Sequence, residues 1–154
     1  MIVEQQAAPD FSVVDENNQM VKLADLKGSK NVVLYFYPKD DTPGCTIEAN
    51  QFTQFINEFS QNDTVIYGVS KDNCQSHTDF INKFDLKVGL LADTEGTLCD
   101  DYGVWQEKER NGEKKMGIVR STFIIDKAGV IRSAEYGVVP EGHAERVLEK
   151  IKQL

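Results

Sequence analysis

Val32-Val33-Leu34-Tyr35-Phe36-Tyr37, followed by Pro38-Lys39-Asp40-Asp41-Thr42-Pro43-Gly44-Cys45, is the stretch whose reading decides the fold. Its first six residues are aliphatic or aromatic with no charge among them, as in a central strand covered on both faces. Pro38 ends that strand. Beyond the loop, Phe52, Phe55, Ile56 and Phe59 recur at helical spacing, and Cys45 and Ala49 extend the same stripe backward. A helix is therefore expected from Gly44 to Ser60, with Cys45 in its first turn and facing inward. A thiol there meets free backbone N–H groups and the positive end of the helix dipole, which favour thiolate, whereas burial alone would oppose it. Thr42 stands three residues earlier, where a C-x-x-C site would carry its other cysteine. A hydroxyl in that place makes this a single-thiol site.

Working outward, Phe11–Val14 and Met20–Leu23 flank the turn-forming Asp15-Glu16-Asn17-Asn18 and predict an N-terminal hairpin. Thr64–Ser70 is a second β-rich run. After it, Asp72 is a candidate N-cap for a helix reaching Phe84 with Phe80, Ile81 and Phe84 as its buried stripe. Leu90–Ala92 reads as a short strand and Thr97–Tyr102 as a short helix. Asn111-Gly112, between Val104-Trp105 and Met116–Val119, marks a tight hairpin turn with a solvated charged stretch from Glu107 to Lys115. A further hairpin spans Thr122–Ala134, and Ala144–Leu154 closes the chain as an amphipathic helix. Strand and helix alternate early and the chain ends strand, strand, helix, the order of an α/β, thioredoxin-like fold with a mixed central sheet flanked by helices. In such a layout a thiol after a central strand lies at the sheet edge where ligand crevices form.

The 154 residues, 40% of them apolar, suit one domain, 1–154, with a full core. A formal charge of −8 argues against nucleic acid or anionic membrane as a partner, and a neutral small-molecule substrate fits better. No signal-peptide pattern or membrane-spanning segment is visible, so a cytoplasmic location is expected. Three cysteines, Cys45, Cys74 and Cys99, form no close pair, as suits a reducing compartment. His77 and His143 read as solvated or surface residues, and no spacing for a metal site accompanies them. Asp40 and Asp41 read as dipole partners or solvated turn residues, and Trp105 as core near a pocket rim.

Pro38-x-x-x-Thr42-x-x-Cys45 resembles the peroxiredoxin signature, and Tyr35–Asp40 with Gly44-Cys45-Thr46-x-Glu48-Ala49 resembles the bacterioferritin comigratory protein, or Q-type, class. Gly68–Asp72, Ser76-His77, Tyr102–Trp105 and Met116–Asp126 extend the likeness over nearly the whole chain. The resemblance implies a thiol peroxidase acting on hydrogen peroxide and organic hydroperoxides without metal, flavin or haem. Cys45 would be the peroxidatic cysteine and pass through a sulfenic acid. Thr42 and Arg120 would complete the site, Glu48 would orient Arg120, and Pro38 would shield the pocket. Thioredoxin or another thiol donor would recycle the enzyme, and a monomer is implied.

A free thiol is about 3% ionised at pH 7, so full ionisation gains at most roughly 30-fold, part of it lost to weaker nucleophilicity. Most of the acceleration must then come from groups that stabilise charge on the departing oxygen, and a guanidinium at Arg120 suits that role. Asn50 and Ile81 occupy the two positions where Q-type relatives often place a resolving cysteine. Two routes stay open: a one-cysteine enzyme served by an external thiol, or an atypical two-cysteine enzyme. Cys74, two helical turns before Ile81, is the better internal candidate, and Cys99 reads first as a small buried residue. A bridge needs Cα atoms within about 7 Å, so either pairing requires the Cys45 helix to unwind locally. Two rival classes are a redox-sensing binding module and a disulfide oxidoreductase.

Overall fold

The computed structural model describes residues 1–154. Asn31–Phe36 (β3) is buried at every position, because β4 (Thr64–Ser70) pairs with it in parallel and β8 (Ser121–Ile125) in antiparallel. β5 (Gly89–Ala92) and β9 (Ile131–Tyr136) complete a five-stranded sheet of order β5-β4-β3-β8-β9. Two small antiparallel hairpins stand apart from it, β1 (Ser12–Val14) with β2 (Met20–Lys22) and β6 (Trp105–Arg110) with β7 (Glu113–Ile118). The second turns at Asn111 (φ 54°) and Gly112 (φ 80°), both left-handed as a two-residue hairpin turn demands.

Strand alternation divides the core. Val32, Leu34 and Phe36 face one layer with Leu98, Cys99 and Tyr102, which belong to or follow α5 (Thr97–Asp101), and with Leu23 of the short α1 (Leu23–Leu26). Val33, Tyr35 and Tyr37 face the other, built from α2 (Pro43–Gln54), α3 (Ile56–Gln61), α4 (Cys74–Phe84) and α6 (His143–Lys152). Here the Tyr35 ring stacks on Phe52 with centroids 4.7 Å apart, an arrangement that adds to the burial of both rings. A mixed sheet between helices with an N-terminal hairpin is the thioredoxin-like α/β arrangement expected.

Some local expectations are corrected. The helix expected from Gly44 to Ser60 breaks at Phe55 (φ −100°, ψ 9°) into α2 and α3. Aromatic spacing carries across the break because both pieces face one core, with Phe52 and Phe59 centroids 5.9 Å apart. Asn73, not Asp72, caps α4: its Oδ1 accepts from the Ser76 N–H at 2.9 Å. His77 and His143 are 0% exposed, not solvated. Asp40 is buried as well, among partners on other elements. No helix is long and apolar enough to cross a membrane.

Candidate active site

The sheet register explains how a residue far along the chain meets Cys45. Phe36 pairs with Ser121 and Tyr35 with Thr122, so the antiparallel ladder carries residue 120 to the end of β3 from which the 38–42 loop departs. By alternation Arg120 lies on the same face as Thr122 and Ile124, and Ile124 packs in the layer that holds α2. The backbone is held there, since the Arg120 carbonyl accepts from Val138 N–H at 2.9 Å and Val119 N–H donates to the Val104 carbonyl at 2.8 Å.

The guanidinium then forks. Nη2 donates to Cys45 Sγ at 3.3 Å, and Nη1 donates to Glu48 Oε1 at 2.8 Å. Cys45 and Glu48 lie three residues apart on one helical face, so a single planar group spans both. Cys45 is 1% exposed and Glu48 0%, while the arginine side chain keeps 14%. Burial pushes the Glu48 carboxyl up from 4.5 to about 7, with Arg120 pulling in the other direction. Burial disfavours the Arg120 charge, but Glu48 and Cys45 together offset this and raise its pKa above the ordinary value. Glu48 Oε2 has no hydrogen-bond partner, and neither does the buried Tyr35 hydroxyl.

Cys45 is the third residue of α2, and Thr42 is its N-cap. The first helical bond runs from Thr46 N–H to the Thr42 carbonyl at 2.9 Å, and the Gly44 and Cys45 N–H groups have no protein acceptor. Those two dipoles are free for a sulfur or oxygen anion. The Thr42 hydroxyl donates to the Lys39 carbonyl at 2.9 Å, so the oxygen's remaining capacity is to accept. Gly44 leaves room for the close approach: a Cβ there would lie 3.1 Å from Arg120 Nη2 and 3.4 Å from Pro140 Cγ. Lys108 of β6 supplies a second cation at the edge of the site. Its ammonium donates to the Ile118 carbonyl at 2.9 Å, and burial, followed by the Arg120 charge, lowers its pKa.

Of the residues singled out from sequence, Cys45, Glu48 and Arg120 are in mutual contact around the guanidinium, with Thr42 at the head of the same helix. Pro38 is exposed, and the buried residue at that corner is Tyr37. All three cysteines are free thiols. Cys74 is half-buried and its thiol donates to the Asp15 carbonyl at 3.3 Å. Burial, and then Asp93, push the Cys99 thiol far above the ordinary range, which keeps it protonated. Trp105 is half-buried, with the Lys71 ammonium 4.0 Å from its ring centroid.

Sequence reasoning missed the surroundings of Asp40 and His77. His77 does lie three, four and seven residues before Phe80, Ile81 and Phe84, and that spacing puts it on the buried stripe. Asp40 carries no comparable signal.

A sequence profile of the AhpC/TSA family matches residues 5–134. The putative peroxiredoxin bcp of Coxiella burnetii is 44% identical over 146 residues, covering 95% of this chain and 96% of that protein. Peroxiredoxin Bcp of Bacillus subtilis is 42% identical over 149 residues, covering 97% and 94%. Among solved structures, a cysteine-to-serine mutant of Xylella fastidiosa PrxQ superposes with a TM-score of 0.94 at 32% identity over 99% of this chain and 97% of that one. The bacterioferritin comigratory protein of Xanthomonas campestris, solved as trapped intermediate and ligand complexes bearing on its alkyl peroxide reduction activity, gives 0.88 at 34% over 93% and 90%. A free thiol at a helix start, a guanidinium in contact with it, and relatives that match nearly end to end all point the same way: this chain belongs to the AhpC/TSA family and is a peroxiredoxin.

Proposed function

We propose that Cys45 is the thiol through which this peroxidase reduces hydroperoxides. Its thiolate attacks the terminal oxygen of ROOH, the S–O bond forms as the O–O bond breaks, and the departing RO⁻ takes a proton to leave as ROH. Cys45 becomes a sulfenic acid. Arg120, with the free amides of Gly44 and Cys45, stabilises charge growing on the departing oxygen, and Thr42 accepts the hydrogen of the incoming O–H. Glu48 holds the guanidinium in place from the turn behind the thiol, and Pro38 contributes to the rim. The observation that carries this reading is the Nη2–Sγ contact of 3.3 Å made by an arginine whose other arm is tied to a fully buried carboxylate.

Hydrogen peroxide and small alkyl hydroperoxides are the proposed substrates, the latter in keeping with the activity of the Xanthomonas protein. Electrons come from thioredoxin or another external thiol. The bond of the Cys74 thiol to the Asp15 carbonyl, and the burial that keeps the Cys99 thiol protonated, favour direct reduction of the sulfenic acid over an internal bridge. The acidic composition supports the absence of a nucleic-acid or membrane partner, two core layers on one sheet support a single domain, and the likeness to the Q-type class supports a cytoplasmic monomer.

One equivalent of hydrogen peroxide followed by peptide mapping tests the assignment. A trappable sulfenic acid on Cys45 is expected, and oxidation confined to Cys74 or Cys99 would overturn it. Steady turnover with thioredoxin is expected, whereas a single oxidation event without turnover would favour a redox-sensing module.

A further inference from the structure

The loop between β3 and the helix carrying Cys45 is clamped from the side by a buried acid–base pair. Asp40 Oδ1 accepts from the Tyr37 hydroxyl at 2.5 Å, and Oδ2 accepts from the Ser76 hydroxyl at 2.8 Å and faces His77 Nδ1 at 2.7 Å. The other imidazole nitrogen, Nε2, lies 2.9 Å from the Leu91 carbonyl, which can only accept, so Nε2 carries a hydrogen. Nδ1 faces a carboxyl group on which two hydroxyl donors already converge, and a proton shared between Nδ1 and Oδ2 joins the two side chains. The histidine and aspartate side chains are 0% and 4% exposed. The Asp40 backbone is held too, its N–H donating at 2.8 Å to Asp72 Oδ2, which accepts from Ser70 Oγ at 2.7 Å.

We propose that Asp40 and His77 are positioning residues for peroxide reduction, tying the 38–42 loop to α4 and β5 so that Thr42 meets the substrate oxygen. The inference rests on Cys45 being the reacting thiol. Asp40 lies between the two residues joined by the Thr42-to-Lys39 hydrogen bond, and the next residue, Asp41, is left-handed (φ 57°). A shift of Asp40 therefore moves the hydroxyl that receives the hydroperoxide relative to a thiol anchored separately through Arg120. Misplacement by about 1 Å can cost a reaction about 100-fold. Stability alone is a poor reason for the pair, because burying two ionisable groups costs about as much as their mutual attraction returns. A defined loop geometry is what the pair secures.

The test uses two amides that divide the imidazole's functions. In His77→Asn the amide takes the place of Nδ1 and can still donate to Asp40, but it cannot reach the Leu91 carbonyl. His77→Gln reaches toward that carbonyl and releases Asp40. The full-length variants are compared by the second-order rate of Cys45 oxidation by hydrogen peroxide, by the rate of Cys45 alkylation with chloroacetamide, and by melting temperature. Alkylation needs the same thiolate but makes no use of Thr42. The expected result is oxidation within about threefold of the parent for His77→Asn and about tenfold or more slower for His77→Gln and Asp40→Asn, with alkylation much less affected. Oxidation rates that follow melting temperature, equal losses in His77→Asn and His77→Gln, or parallel losses in alkylation would overturn the proposal. Should Asp40→Asn fail to fold, Ser76→Ala removes one donor to the same oxygen and should slow oxidation by a smaller factor, and an unchanged rate there also counts against the clamp. Failure of the underlying reading has a different signature, oxidation that persists in Cys45→Ser.

Discussion

Thr42 gives its hydroxyl hydrogen to the carbonyl of Lys39, 2.9 Å away, and by doing so faces a ligand as an acceptor only. This sets the polarity of the site: donors from Arg120 and the helix amides lie around the thiol, and one acceptor lies at the head of the same helix. A hydroperoxide bears one O–H and a chain of two oxygens, and the proposed pose sets its hydrogen on Thr42 and its departing oxygen near the cations.

Thr42→Ser keeps the acceptor, and Thr42→Val removes it while preserving shape. The serine variant should oxidise within about threefold of the parent and the valine variant about tenfold to 100-fold slower, as measured by stopped-flow mixing with hydrogen peroxide. Equal rates would contradict the acceptor role.

Arg120→Ala should slow oxidation of Cys45 by more than the roughly 30-fold that loss of thiolate alone could account for. Arg120→Lys should recover little, because one ammonium cannot span both Sγ and Glu48 Oε1. Comparing peroxide oxidation with iodoacetamide alkylation in the same variants separates transition-state stabilisation from thiol ionisation.

Gly44→Ala would place a methyl group 3.1 Å from Arg120 Nη2. The guanidinium is held by Glu48 and cannot swing freely, so a loss of about three- to tenfold in the oxidation rate is expected with melting temperature little changed. A structure of the variant should show a lengthened Nη2–Sγ separation.

Two buried groups should leave opposite marks on stability. The Glu48 carboxyl is raised by burial from 4.5 to about 7, so its contribution is complete below about pH 4.5 and is lost as pH rises through 7. His143 is lowered by burial from 6.5 to about 4, so its contribution is complete above about pH 6.5 and is lost as pH falls through 4. Where the windows overlap, each slope is roughly 1 kcal/mol per pH unit and the two oppose each other. Denaturant unfolding from pH 4.5 to 6.5 should show stability rising with pH in Glu48→Gln and falling in His143→Gln.

Much of this was legible before the fold was seen. The uncharged, β-branched and aromatic run from Val32 to Tyr37, ended by Pro38, pointed to a covered strand, and the spacing from Cys45 to Phe59 marked the inward face of the helical segment after it. The break at Phe55 was not legible, since no glycine or proline marks it and the aromatic stripe continues through it. Arg120 and Glu48 came from motif likeness, because nothing local to either residue announces a partner across the sheet. Asp40 and His77 were misread for a related reason: polar residues are assigned to solvent by default, and only their convergence from separate elements shows that each satisfies the other. Pairwise satisfaction at long range is invisible to a reading that moves along one chain.

The antiparallel register that delivers Arg120 has a consequence for biosynthesis. A ribosome releases the strand, loop and helix around Cys45 well before the codons for β8 are read, so the nascent thiol exists for a time without its cationic counterpart. A product truncated before Arg120 keeps the sulfur but not the guanidinium that contacts it, and that contact waits for the later ladder to pair with β3.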